Sequence, residues 1–315
     1  MIKKVFGTGG IGTGMFFLLE ENRPLSRNES RSAVLTDYKD YCKGHIILHY
    51  VSVLSPGVKV CILGKVGDDE NGETLLRKMQ KINIDTRYVQ KTKKAPTLFS
   101  ACFQYPDGTG GNITSINSAS GLVTPEYIEN CISEIDAESL VLAAPEVPLE
   151  SRIRLLEIGR ERGAFTAASF TSEEAAEFEK AGGFALTDFL SVNRDEAASV
   201  CDAGVHAAAG VITEANPSIK LAITDGEAGS HLFAGGGYRK LPGIPAKVVS
   251  TAGAGDAFFG GTIAGLISGK DFFQAASYGV AAAYFAVMSE DTIAQTVSPG
   301  KIETFLKEEG SKYGL

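Results

Sequence analysis

Residues 248–261 read V-V-S-T-A-G-A-G-D-A-F-F-G-G. The two valines predict the end of a buried strand, and Gly253, Ala254 and Gly255 predict a turn with no bulk over the backbone. Apolar residues then recur at helical spacing, so we expect Asp256 in the first turn of a helix. Unpaired N–H groups and the helix dipole favour an anion there, such as a phosphoryl group. The stretch predicts either a phosphoryl site with a carboxylate placed to accept a proton, or a glycine turn whose acid only caps the helix dipole.

Composition and charge argue against several classes of protein. The chain has 315 residues, of which 44% are hydrophobic, as in ordinary globular proteins with one large or two small domains. Its net charge of −8 argues against a general nucleic-acid or anionic-membrane binder. The N-terminus reaches glycine too early for a signal peptide, and no apolar run approaches the roughly 18 residues of a membrane span. Five scattered cysteines without metal-ligand spacing predict reduced thiols in a cytoplasmic protein.

A glycine-rich stretch near the N-terminus offers an alternative function. Residues 7–12 read G-T-G-G-I-G, which matches the dinucleotide fingerprint G-x-G-x-x-G. That fingerprint requires a following helix and then a second strand that ends in an acidic residue about 20 positions on. Here a short apolar run is followed by a polar stretch that contains Pro24. An NAD-dependent oxidoreductase that uses residues 7–12 is therefore the less favoured alternative.

Strands and helices alternate along much of the chain. The predicted strands are residues 58–63, 140–143, 164–168, 189–192 and 221–223, and the predicted helices are residues 36–54, 73–81, 149–162 and 173–181. This alternation predicts an α/β fold with a doubly wound, mostly parallel sheet. Residues 97–105 and 112–116 predict a hairpin outside the parallel pattern.

Polar motifs follow three of the predicted strands, where ligands bind in such sheets. Asn193-x-x-Glu196 follows one strand, Thr224-x-Gly226 follows the next, and the stretch that ends in Asp256 follows the third. Taken singly, Asn193 and Glu196 could be a helix cap and a solvated first-turn acid, and the threonine and glycine could form only a turn. Their convergence on one sheet edge favours a binding site.

These three motifs together resemble the ribokinase-like (PfkB) family of carbohydrate and nucleoside kinases. The likeness extends over essentially the whole chain and includes the glycine and Asp loop at residues 64–72. It implies one ribokinase-like domain over residues 1–315, with a small β lid built from about residues 13–36 and 96–116. The implied activity is Mg²⁺- and ATP-dependent phosphorylation of a hydroxyl on a sugar or related small polyol. Dimerisation through the lid, giving a homodimer, is a further expectation.

The resemblance also assigns roles to individual residues. It makes Asp256 the base that deprotonates the substrate hydroxyl, with an anion hole formed by the N–H groups of Gly253, Ala254 and Gly255. It makes Asn193 and Glu196 the residues that organise Mg²⁺ near the triphosphate. Thr224 and Gly226 would contact the phosphates or ribose of the nucleotide.

The acceptor side departs from the family pattern. The Asp expected shortly after the first strand falls among the glycines of residues 9–14, and Gly12 is kept as a substrate contact. The next expected sugar-binding pattern falls near Lys43, which with His45 and His49 could offer a cation to an acidic or phosphorylated substrate. Glu146, at a strand end, could accept substrate hydroxyls.

Two further departures concern the nucleotide side. Ser250 replaces the usual Asp at the start of the C-terminal motif, and Ser-Glu-Asp-Thr at residues 289–292 replaces the glycine-bearing loop expected beside the adenine. Because of Ser250 and the altered acceptor side, a kinase-like protein that only senses a nucleotide or sugar is the non-enzymatic alternative.

Overall fold

Two β-sheets organise the chain, and the computed structural model describes the backbone of residues 1–315 with every side chain except those of Asp37 and Tyr38. The strands are β1 (Lys4–Thr8), β2 (Gly12–Leu18), β3 (Val34–Tyr41), β4 (Lys59–Gly67), β5 (Ile84–Asp85), β6 (Val89–Thr92), β7 (Leu98–Gln104), β8 (Gly110–Thr114), β9 (Ser139–Ala143), β10 (Phe165–Ala168), β11 (Phe189–Asn193), β12 (Lys220–Thr224), β13 (Ser230–Ala234) and β14 (Gly237–Leu241). The α-helices are α1 (Lys43–Leu54), α2 (Glu70–Lys81), α3 (Pro125–Glu129), α4 (Leu149–Glu161), α5 (Ala175–Lys180), α6 (Arg194–Ala198), α7 (Val205–Ala215), α8 (Ala254–Ile267), α9 (Phe272–Val287), α10 (Pro299–Phe305) and α11 (Ser311–Tyr313).

The larger sheet is mostly parallel. Its spatial order is β14-β13-β12-β11-β10-β9-β1-β4-β5, with β6 also paired to β4. Every pair from β12 to β5 is parallel, whereas β13 and β14 return antiparallel at one edge. The carboxyl ends of β1, β9, β11 and β12 therefore lie along one edge of the sheet.

Helices cover both faces of this sheet. Successive residues of a strand point to opposite faces, and on β1 Val5 joins one hydrophobic cluster while Phe6 joins the other. The first cluster includes residues of α1, α8 and α9, and the second includes residues of α3, α4, α5 and α7. The predicted doubly wound α/β class is confirmed.

The second sheet has four strands in the order β3-β2-β7-β8. It contains the predicted hairpin as β7 and β8, which pair antiparallel, and β2 pairs with β7 in parallel. Strand β3 pairs antiparallel with β2 and places Asp40 opposite Gly14.

Two predicted elements are wrong. The helix expected over residues 36–54 is two elements, because β3 continues to Tyr41 and α1 begins only at Lys43. The β-branched and apolar start of β3 finds a partner in β2, and pairing with a distant strand overrides the local helical pattern. Val248 and Val249 do not end a strand, since residues 242–253 contain no strand or helix and Val248 is 51% exposed.

Helix α8 is held tightly by its neighbours. A Cβ on Gly260 would lie 2.6 Å from the carbonyl oxygen of Ile47 in α1, and one on Gly261 would lie 2.7 Å from Ala282 Cβ in α9. Such small residues let helices approach closely, so the position of the α8 N-terminus is fixed by packing on two sides.

Candidate active site

The glycines after β1 serve close packing. A Cβ on Gly9 would lie 2.8 Å from the Cα of Gly44 in α1, and a Cβ on Gly10 would collide with the carboxylate of Glu146. Gly12 begins β2, at a point where the dinucleotide fingerprint requires a helix. The structure therefore contradicts a dinucleotide site at residues 7–12. A Cβ on Gly12 would meet Cys42 Sγ and the Leu98 carbonyl oxygen at 2.6 Å, so close packing requires this glycine. The expected substrate contact at Gly12 is not seen, since Gly12 does not line the cavity beside Asp256.

The loop before α8 leaves amide groups free. Gly253 has φ of 77°, and a Cβ on it would lie 2.5 Å from the carbonyl oxygen of Thr292, so both conformation and space require glycine. The Ala254 N–H, expected in the anion hole, instead donates to the Thr251 carbonyl at 3.3 Å, whereas the N–H groups of Gly253 and Gly255 reach no acceptor among the described residues. Free amides at the N-terminus of a 14-residue helix are groups that favour an anion.

Asp256 lies beside these amides and faces Lys43 across the cleft. The Nζ of Lys43 is 3.5 Å from Asp256 Oδ1, and the Asp256 side chain is 13% exposed. Burial raises the pKa of the Asp256 carboxyl above its ordinary value, while the charge of Lys43 opposes that rise. The neighbouring Asp256 carboxylate in turn raises the pKa of Lys43. Lys43 is therefore a fixed cation whose charge is already matched.

Glu146 joins the same cluster from the end of β9. Its Oε2 accepts a hydrogen bond from the backbone N–H of Lys43 at 2.9 Å, so it caps the start of α1 from a distant part of the chain. Burial raises the pKa of Glu146 to about 7, against an opposing effect of Lys43. Its φ of 72° is unusual for a residue other than glycine, and such strain is concentrated at functional positions.

Asn193 and Glu196 cap each other at the start of α6. Asn193 Oδ1 accepts from the Glu196 N–H at 2.8 Å, and Glu196 Oε2 accepts from the Asn193 N–H at 2.8 Å. This is a complete capping box. Burial raises the pKa of Glu196, and the charge of Lys43 opposes the rise, which places this carboxylate in the field of the same cation.

No cluster of three or more His, Cys, Asp or Glu side chains suited to a metal exists among the side chains that the structure describes. A metal at this edge would have to take most of its ligands from a bound phosphate and water, as Mg²⁺ commonly does. The second oxygen of Glu196, Oε1, takes no part in the capping box and is the protein ligand that fits this chemistry.

Thr224 lies close to the α8 loop, as the convergence of strand ends predicted. A Cβ on Gly255 would lie 3.9 Å from Thr224 Oγ1, which itself donates to the Val192 carbonyl at 3.5 Å. Gly226 follows with φ of 52° and open space around its Cα. Asp225, between them, pairs with Arg194 at 3.2 Å and so joins this turn to the start of α6.

A cavity of about 240 Å³ adjoins Asp256 and lies between the two sheets. Lys43, Glu146 and Gly253 line it from the core, and Phe16 and Asp40 line it from the second sheet. Sequence reasoning did not find Asp40, because its position depends on the pairing of β3 with β2. The misassigned helix over residues 36–54 hid the one available signal, the alternation along β3.

One expectation about the cleft is corrected. His45 and His49 are buried, and burial lowers their pKa values to about 3 and about 4, so neither supplies a cation to a substrate at neutral pH. The segment 289–292 lies against β3: Asp291 Oδ1 accepts from the Lys39 N–H at 2.8 Å, and Thr292 Oγ1 accepts from the Tyr41 N–H at 2.9 Å. It therefore links the second sheet to the core.

Comparisons with known proteins identify the family of the chain. The model of the pfkB family of carbohydrate kinases matches residues 48–298, well over half of the chain. The chain belongs to that family. This PfkB chain is similar to ribokinase of Bacillus subtilis, at 26% identity over 233 residues that cover 74% of this chain and 76% of that protein. It is also similar to deoxyribokinase of Salmonella typhi, at 24% identity over 299 residues that cover 90% and 92%.

The solved structures show the same fold. A ribokinase from Cryptococcus neoformans in complex with ADP superimposes on this PfkB chain with a TM-score of 0.79 at 19% identity, covering 96% of this chain and 99% of that one. The predicted family, fold class and enzyme class are therefore confirmed, and the protein is a carbohydrate kinase. Among the residues that the structure describes, none of the helices is both long and apolar enough to cross a membrane.

Proposed function

We propose that this carbohydrate kinase transfers the γ-phosphoryl group of ATP to a hydroxyl of a sugar or related small polyol, with Asp256 as the general base. The observation that carries the proposal is the position of Asp256. It stands in the first turn of α8, beside free amides, and also lines the 240 Å³ cavity at the seam of the two sheets. A hydroxyl in the cavity and a phosphoryl group at the helix end would thus meet at one carboxylate.

The chemistry requires little more than positioning and charge. The acceptor hydroxyl would give its proton to Asp256 as its oxygen attacks the phosphorus, and the N–H groups of Gly253 and Gly255 would stabilise charge on the transferring group. The charge of Lys43 opposes the effect of burial on the pKa of Asp256 and so favours the ionised carboxylate. Phosphoryl transfer of this kind needs no covalent intermediate on the protein.

The nucleotide and its metal would bind at the carboxyl ends of β11 and β12, across from the acceptor cavity. Thr224 and Gly226 would contact the phosphates or ribose, and Glu196 with Asn193 would hold Mg²⁺ and its waters; Mg²⁺ when bound would neutralise charge on the triphosphate. Support comes from the short approach of Thr224 to Gly255 and from the ADP complex of the related structure. The capping box sets the orientation of Glu196 toward that role.

The second sheet would act as the lid. Its proposed segments, about residues 13–36 and 96–116, together with the rest of β3, border the cavity, and Gln104 Nε2 donates to the Val249 carbonyl at 2.8 Å. Closure over the cleft would exclude water and protect ATP from hydrolysis. The domain unit proposed is the whole chain, residues 1–315.

We further propose a cytoplasmic homodimer. All five cysteines are free thiols, as a reducing compartment requires. The outer face of the second sheet exposes large apolar residues, among them Phe17, Leu35 and Ile113, which a second copy of the chain could cover.

Release of ADP tests the activity. The purified chain would be assayed with ATP, Mg²⁺ and a panel of pentoses, hexoses, polyols and nucleosides. The proposal expects acceptor-dependent ADP release with at least one member, abolished by chelation of Mg²⁺. ATP binding without turnover of any acceptor would instead favour the non-catalytic sensor.

A further inference from the structure

Asp40 is a buried carboxylate on the cavity side of the second sheet. It is 9% exposed and lies opposite Gly14, where a Cβ would come within 2.9 Å of the Asp40 Cβ. The glycine on β2 therefore leaves the space that the aspartate on β3 fills. Asp40 lines the same cavity as Asp256, from the opposite wall.

The contacts of Asp40 hold one of its two oxygens. Ser100 Oγ and Cys102 Sγ both donate to Oδ2, the thiol from 3.2 Å. Oδ1 accepts from no side chain among the described residues, and no described cation forms an ion pair with the carboxylate. A carboxylate buried without an ion-pair partner is costly, and burial raises the pKa of Asp40, against the opposing effects of its hydrogen bonds and of the charge of Lys43.

The cavity also holds an excess of acidic groups. Asp40, Glu146 and Asp256 line the cavity, and Lys43 is the only cation among its described lining residues. That lysine is 3.5 Å from Asp256, so its charge is matched. An acceptor that carried a carboxylate or phosphate would therefore lie among carboxyl groups, with no unmatched cation among the described lining residues.

We infer that Asp40 binds the acceptor by accepting hydrogen bonds from its hydroxyls, and that the cavity selects an uncharged, hydroxyl-rich acceptor over one that bears a carboxylate or phosphate. This inference rests on the proposed kinase function and specifies its substrate class. Asp40 and Glu146 would hold the acceptor from two walls, leaving one hydroxyl at Asp256. The same arrangement argues against the phosphorylated acceptor that Lys43 alone suggested.

The test compares matched acceptors in the full chain. A panel of neutral aldoses, the corresponding aldonic acids and the corresponding monophosphates would be measured for binding by calorimetry without ATP, and for kcat/KM by ADP release. The neutral members should be preferred by roughly tenfold or more, because each acid places an unpaired charge in the cavity. Asp40→Asn should lower kcat/KM for the best neutral acceptor roughly 10- to 100-fold, through a higher KM for the acceptor. The KM for ATP should stay unchanged. The ratio of kcat/KM for neutral acceptors to kcat/KM for acidic acceptors should become smaller.

Controls separate this role from folding. Asp202→Asn alters an exposed aspartate outside the cavity. It should change neither the acceptor KM nor the ratio of kcat/KM between neutral and acidic acceptors. If Asp40→Asn does not fold, as judged by thermal unfolding, Ser100→Ala keeps the carboxylate but removes an anchor of Oδ2, and should raise the acceptor KM alone.

The outcomes distinguish this inference from the proposed function. Neutral members that bind in an Asp40-dependent way without ADP release would support the acceptor site and contradict the kinase activity. Equal or stronger binding of the acids, an unchanged Asp40→Asn acceptor KM, or binding of no neutral member would overturn the inference.

Discussion

Glu146 combines a left-handed backbone, a half-buried carboxyl and a hydrogen bond to the start of α1. Its pKa is raised to about 7 in the folded chain from an ordinary value near 4.5, so the folded state binds a proton that the unfolded state releases. The resulting penalty is absent below about pH 4.5, grows as the pH rises toward 7, and is complete above it. The ionised Glu146 therefore lowers the free energy of unfolding at a position where an acceptor is expected to bind.

Glu146→Gln should therefore stabilise the protein at alkaline pH. We expect a gain on the order of 2 kcal/mol at pH 8 that shrinks toward zero at pH 4.5, measured by urea unfolding at both values. Glu150→Gln alters an exposed glutamate in the first turn of α4 and serves as the control. An equal effect of Glu146→Gln at both pH values would show that the charge of Glu146 carries no such penalty.

At this scale the sequence predicted what local pattern controls. Asp256 in a first helical turn follows from small residues before an apolar helical run, and the structure places it there. Asp40 could not be found this way, because its burial and its partners Ser100 and Cys102 come from strands far apart in the chain. The buried histidines of α1 were misjudged for the same reason, since a charged role depends on solvent that the fold removes.

At the scale of elements, α8 is the part on which the site depends. Close contacts with α1 and α9 fix its axis, and Gly253 turns the chain into its first amide groups. Ser250 stands where the family usually has Asp, and its Oγ accepts from the Ala252 N–H at 3.2 Å, so the loop keeps a side-chain cap. The loop is thus held without the expected carboxylate.

Gly253→Ala tests this turn against a matched glycine at the other end of the same helix. Gly253 and Gly269 both have positive φ, but only at Gly253 does a Cβ collide, with the Thr292 carbonyl. Gly253→Ala should lower kcat by about 10²- to 10³-fold, because the amides move from the phosphoryl group. Gly269→Ala should cost only about 1 kcal/mol of stability, with kcat unchanged. Similar kcat values for the two variants would contradict a role for the loop before α8 in binding the phosphoryl group.

Element prediction succeeded where the pattern was regular and failed at the seam between the sheets. The strands and helices from residue 139 to 193 lie close to their predicted positions, since buried parallel strands and their helices have distinct periods. The boundary between β3 and α1 was missed, because strand pairing with β2 and the segment 289–292 outweighs local propensity. The supposed strand at Val248 is a loop that packs its backbone on the end of α9.

On the scale of the whole molecule, the two sheets are joined at several points around the cavity. Gln104 contacts Val249, and the segment 289–292 contacts β3, so the second sheet touches chain on both sides of α8. Movement of the second sheet would therefore be coupled to the phosphoryl loop. The outward face of that sheet carries Phe17 opposite Leu35, with Ile113 two strands along.

This outward face predicts a dimer contact. The variant Leu35→Lys/Ile113→Lys should convert a dimer to a monomer in light scattering after size exclusion, because two charges would enter an apolar interface. Tyr238→Lys, at the far edge of the larger sheet, should leave the mass unchanged. A wild-type chain that is monomeric at micromolar concentration would contradict the dimer.

If Asp256 is the base of the phosphoryl transfer, the variant Asp256→Asn should lose turnover. With the best acceptor of the panel, ADP release should fall by about 10²- to 10⁴-fold, the range expected for loss of a general base, while ATP binding measured by calorimetry is retained. Asp202→Asn should turn over like the wild-type chain. Turnover by Asp256→Asn at the wild-type rate would show that Asp256 is not the general base.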